Sequence, residues 1–139
     1  MTRSDILAYL TGQFRALETE SGQGVFDDSE GYKLPIDATM RRLGVSESTL
    51  ATGEVADTLN EAAFAVAEYH ALRRFRFLIA TRIYYPAEKM MTRTVLFSQI
   101  DALLKEASER ATSLGYGVVT SSDYGLFTMS LDYLEPEAV

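Results

Sequence analysis

Apolar residues recur at intervals of three and four through most of this chain, and that period predicts helices. Ile6, Leu7, Leu10, Phe14 and Leu17 share one face of a first helix that Ser4 or Asp5 can cap. Residues 21–31 carry three glycines and the acids Asp27, Asp28 and Glu30, and read as a loop. Pro35 suits the first turn of a short second helix with Met40 and Leu43 facing inward, and Gly44 is placed to end it. From Val55 to Arg82 there is neither proline nor glycine, so a long helix of roughly 40 Å is expected, stopped by Pro86. The last helix runs from about Thr92 to Leu114. Its apolar stripe is Val95, Leu96, Ile100, Leu103, Leu104, Ala107 and Ala111, and Gly115 and Gly117 close it. Then the period changes. Phe127, Met129, Leu131 and Tyr133 alternate with Thr128, Ser130 and Asp132, as in a strand with one apolar edge. The expected fold is mainly α: a small bundle of about four helices around one long helix over residues 1–117, with an extended C-terminal strand or tail over 118–139.

Two features ask for a partner. On a helical projection of the long helix, Val55, Leu59, Ala62, Ala63, Val66 and Phe77 fall on one side, and Leu72, Phe75, Leu78 and Ile79 fall on the other. A helix that is apolar on opposite faces needs cover on both, and a second copy is the natural source. Glu54, Asp57, Glu61 and Glu68 lie within an arc of roughly 60°, with Arg73 and Arg76 one to two turns beyond. Acidic and basic stretches so arranged can pair head to tail between copies, and such contacts close into rings when the rotation allows. The second feature is the tail. A lone strand leaves its backbone groups unpaired, so Leu126, Phe127, Met129, Leu131 and Tyr133 are expected to add to a partner; a weak hairpin through Val118 and Val119, or a strand laid over the chain's own helices, are the alternatives.

Composition narrows the class. An apolar content of 47% argues against wholesale disorder, and 139 residues suffice for one core without disulfides, which the absence of cysteine excludes. The sequence shows no secretory start and no apolar run of membrane length, which points to the cytoplasm and to no membrane partner. A formal charge of −7 disfavours simple binding of nucleic-acid phosphates.

Candidate chemistry is sparse. The single histidine, His70, lies mid-helix without companion ligands and reads as a structural residue. Asp27, Asp28 and Glu30 miss the alternating pattern of a calcium loop, and Gly22, Gly24 and Gly31 do not form a phosphate loop. Arg73, Arg74 and Arg76 interleave with Phe75 and Phe77, whose helical spacing favours packing inside over stacking on bases. The reading is a protein without catalytic residues, metal or cofactor.

The segment from Leu34 to Gly117 resembles the small head–tail adaptor (connector) proteins of long-tailed bacteriophages. Three stretches carry the resemblance. They are the short helix ending Arg41-Arg42-Leu43-Gly44-Val45, the long helix centred on Ala67-Glu68-Tyr69-His70-Ala71-Leu72-Arg73-Arg74, and the final helix with Leu96-Phe97-Ser98-Gln99-Ile100-Asp101-Ala102-Leu103-Leu104. The resemblance implies a helical bundle assembling as a ring, usually of twelve copies, in the virion neck after synthesis in the host cytoplasm. That ring docks beneath the portal protein, extends the channel through which DNA passes without sequence-specific contact, and presents a platform to the next neck or tail-completion protein. It also implies a C-terminal segment that reaches into the portal. Another neck or tail-completion protein, or a cytosolic dimeric helical regulator, are the alternatives.

Overall fold

The computed structural model describes residues 1–20, 26–80 and 90–117. Helix α1 (Arg3–Gln13) begins two residues earlier than a Ser4 cap would allow, because Thr2 rather than Ser4 or Asp5 is the cap. The Thr2 hydroxyl accepts from the Asp5 backbone while the Asp5 carboxylate accepts from the Thr2 backbone at 2.9 Å, which satisfies two donors at the helix start. The chain breaks helical geometry at Phe14 and resumes as α2 (Arg15–Glu20), so the expected first helix is two pieces. The break leaves Phe14 only 7% exposed.

A tight turn follows at 26–32. The Asp27 carboxylate accepts from the Ser29 and Glu30 backbone N–H groups at 2.8 and 2.9 Å, the local bonding for which aspartate favours turns. Gly31 takes φ +79°, and a Cβ there would sit 2.5 Å from the Phe26 ring. Both facts require glycine. The turn delivers Phe26 and Tyr32 to the core.

Helix α3 (Lys33–Arg42) ends as expected at Gly44, with φ +95°, and the Val45 N–H returns to the Met40 carbonyl at 3.0 Å. A single 3₁₀ turn at Glu47–Thr49 leads on to another at Asp57–Leu59. The long helix, α4 (Asn60–Ala80), is therefore shorter at its start than the pattern suggested. Val55 belongs to the preceding segment, where its N–H donates to the Met1 carbonyl at 2.8 Å. Helix α5 (Met90–Ser113) closes at Gly115, φ +91°, with the Tyr116 N–H bonded to the Ala111 carbonyl at 2.8 Å.

Helix α4 is the axis of the fold. Helices α1, α3 and α5 each pack against it, and α1 also touches α3. Glu68 meets Arg110 and Arg76 meets Asp101, so α4 and α5 run antiparallel. Tyr32, Phe75, Ile6, Leu10, Ile36, Met40, Leu72, Ile79 and Ile100 are fully buried. On α5 the buried stripe is narrower than the seven residues expected of it. Ile100, Ala107 and Ala111 are buried, whereas Val95 and Leu103 remain 49% and 41% exposed. A helix that packs chiefly on one neighbour buries one stripe. No strand occurs among the described residues, apart from an isolated bridge between Asp27 and Gly31. The alternating segment from Phe127 to Tyr133 lies outside them.

Candidate interaction surface

The apolar residues of α4 that were expected to need a second copy are covered by their own chain. Leu72, Phe75 and Ile79 are at most 1% exposed, and Leu78 is half-buried. The cover comes from aromatic rings that the 26–32 turn and α1 bring in. Phe75 lies 5.2 Å from Phe26, 5.7 Å from Phe14 and 6.0 Å from Tyr32, centroid to centroid. Edge-on and tilted ring contacts of this kind add to the benefit of burial. Leu72, Phe75 and Ile79 are therefore core residues, and their expected role in an interface is corrected on that ground.

Phe77 reverses the other way. It was placed on the inward face with Val55, Leu59 and Val66, yet it is 56% exposed. Two residues separate it from Phe75, which is roughly 200° of helical rotation, so the two rings cannot both face one core.

The charged residues divide similarly. Glu68 is 8% exposed and belongs to the fold. Its carboxylate accepts from the Tyr9 hydroxyl and, at 3.2 Å, from Arg110 on α5. Burial first, and the Glu68 acceptor second, push the Tyr9 hydroxyl above its ordinary pKa, so it remains a donor. Arg76 braces α4 to α5, donating to Asp101 at 2.7 Å with its guanidinium 5.0 Å from the Phe97 ring centre. Glu68 and Arg76 therefore have partners in their own chain. Asp57 is exposed and accepts from the Met1 amino group at 3.2 Å; Glu54, Glu61 and Arg73 are exposed as well. The acidic loop is also partly spoken for. Arg3, held at 11% side-chain exposure, donates to Asp28 at 2.8 Å and to the buried Asp37 at 2.6 Å.

One of several surface grooves among the described residues, of about 360 Å³, lies between α3 and α4. Leu34, Pro35 and Ala38 form its α3 wall; His70, Arg73, Arg74 and Phe77 form its α4 wall. Leu34 and Phe77 are 61% and 56% exposed, the two most exposed large apolar side chains among the described residues. The guanidinium of Arg73 lies 5.8 Å from the Tyr69 ring centre. The Nε of Arg74 is shielded from solvent without a hydrogen-bond partner. Burial, and secondarily the charge of Arg73, push the His70 imidazole down to about 4, so it is neutral at physiological pH. The sequence pattern missed this groove. The one signal was Phe77 inside an arginine-rich run.

The tail residues expected to bind a partner, Leu126, Phe127, Met129, Leu131 and Tyr133, lie outside the described residues. Among those described, no helix is long and apolar enough to cross a membrane. Comparison with protein-family models, with curated proteins and with solved structures returned no match.

Proposed function

We propose that the chain is a structural subunit of a bacteriophage neck, an adaptor that rings the underside of the portal, extends the DNA channel and joins head to tail. One observation carries the reading: α4 presents opposite charges at its two ends. Exposed Glu61 stands at its start, with Asp57, which also accepts from the Met1 amino group, in the turn just before it, and the arginine-lined groove with Phe77 stands toward its end. Sixteen residues of nearly continuous helix set them roughly 24 Å apart. Two complementary, non-overlapping surfaces on one rigid element suit head-to-tail repetition, the geometry from which rings are built. The succession of short helix, long helix and long final helix on which the resemblance rests agrees with α3, α4 and α5. The exposed Leu34 and Phe77 supply apolar area to such a contact.

Electron microscopy of the chain mixed with a purified portal assembly tests this. The expected result is a ring on the portal, lost on reversing Asp57→Arg and Glu61→Arg together and restored when those variants are mixed with Arg73→Glu copies. Deleting residues 124–139 is expected to abolish attachment while α1–α5 stay folded by circular dichroism. A chain that ignores the portal, or one that forms only a stable dimer indifferent to these charge reversals, would refute the proposal and favour a regulatory protein.

A further inference from the structure

We propose that in the free protein the C-terminal segment around Phe127–Tyr133 lies along the α3–α4 groove of its own chain. The inference stands apart from the neck reading, because it concerns one molecule alone.

The chain leaves α5 beside Arg42 at the end of α3, about one helical turn beyond Ala38 of the groove wall. Tyr116 packs on Ala65 and Val66 of α4, and its ring lies 5.3 Å from the Arg42 guanidinium at the end of α3. Arg42 also donates to the Gly117 carbonyl at 3.2 Å. Leu34, Ala38 and Arg42 follow one another at intervals of four, so they share a face of α3. Arg42, whose guanidinium holds the Gly117 carbonyl, is at one end of that stripe and Leu34 at the other, about 12 Å away along the helix axis. Residues 118–125 can span at most about 28 Å when extended, which is ample. The first apolar residues of the alternating segment, Leu126 and Phe127, therefore come within reach of Phe77.

The chemistry of groove and segment is complementary. Residues 118–139 contain Asp123, Asp132, Glu135 and Glu137 and no lysine or arginine. The groove offers Leu34, Pro35 and Phe77 beside Arg74, whose shielded Nε lacks an acceptor. Arg73 and Arg74 set positive charge along the groove against the carboxylates of the segment. An alternating segment places Phe127, Met129, Leu131 and Tyr133 on one side, where they can cover the exposed rings and aliphatic carbons. Held in one chain, the segment faces the groove at the high effective concentration a short linker provides.

The chain contains no tryptophan and no cysteine, so single reporters are unambiguous. In full-length Phe127→Trp, the expected emission is blue-shifted, and acrylamide quenching is reduced several-fold against the same protein unfolded in guanidinium. Both signals should be independent of protein concentration. Adding Leu34→Asp and Phe77→Asp, two exposed positions, should return the emission to the solvent-exposed value with the helical circular dichroism unchanged. A Phe77→Cys, Met129→Cys pair should oxidise to an intramolecular disulfide faster than a Leu103→Cys, Met129→Cys pair. That comparison decides the matter if the aspartate variant fails to fold. Solvent-exposed emission in the native chain, protection that groove substitutions leave intact, protection that grows with concentration as for a second copy, or equal disulfide rates would each overturn the proposal.

Discussion

Replacing Phe75 by alanine separates a core role from an interface role. The ring is fully buried and contacts Phe14, Phe26 and Tyr32. Its removal leaves a cavity among side chains anchored on two different segments, the α1–α2 junction and the 26–32 turn, which limits collapse. The expected loss is about 3–5 kcal/mol, the range for truncating a buried phenylalanine. That is a large part of the roughly 5–15 kcal/mol that holds a domain of this kind together. With an m-value near 2 kcal/mol/M, the urea midpoint should fall by about 2 M. Phe77→Ala, two residues on and more than half exposed, should stay within about 0.5 kcal/mol of the parent. Urea titrations followed at 222 nm, at two protein concentrations tenfold apart, read both. The reasoning fails if Phe75→Ala costs less than about 1 kcal/mol. It also fails if the loss depends on protein concentration, since that dependence would mean a second copy supplies the cover.

Two other perturbations read single features. His70 is neutral in the fold, with its imidazole lowered from 6.5 to about 4, so the unfolded chain binds the extra proton first. Stability attributable to this site is complete above pH 6.5 and declines as the pH falls toward 4. His70→Gln should flatten that stretch of the stability profile, and a titration of the ring by NMR with a midpoint near 6.5 in the native protein would contradict it. Gly31→Ala should destabilise by more than about 1 kcal/mol, because it combines a left-handed backbone with a collision against Phe26. Gly44→Ala meets open space and should show only the backbone part. Equal thermal shifts for the two would remove the collision from the account.

Much of the fold was legible because helices announce themselves locally. The inward faces of Ile6, Leu10, Phe14, Met40 and Leu43 follow from spacing alone, as do the helix stops at Gly44 and Gly115. Less legible was what lies opposite each face. The apolar residues on both sides of α4 looked like an unmet demand, because spacing says nothing about where a loop returns. The 26–32 turn is short and polar in sequence, yet the Asp27 cap and Gly31 bend it so that Phe26 and Tyr32 close one side of α4. The acidic stripe lost Glu68 for a similar reason: its partners Tyr9 and Arg110 come from helices far away in sequence. Phe77 and Leu34 were readable only once α3 and α4 were set beside each other.

The attachment of α5 bears on how the molecule opens. Its buried contacts are made chiefly with α4 through Ile100, Ala107 and Ala111, and its polar ties are the Glu68–Arg110 and Arg76–Asp101 pairs. Small alanine surfaces and partly exposed ion pairs hold less tightly than the aromatic centre around Phe75. Amide hydrogens of α5 should then exchange through a partial opening that leaves α1, α3 and α4 assembled, and only the latter set should report global unfolding. The protein would thus be a stable three-helix kernel with a hinged fourth wall, and the strength of that wall can be tuned from α5 without disturbing the kernel.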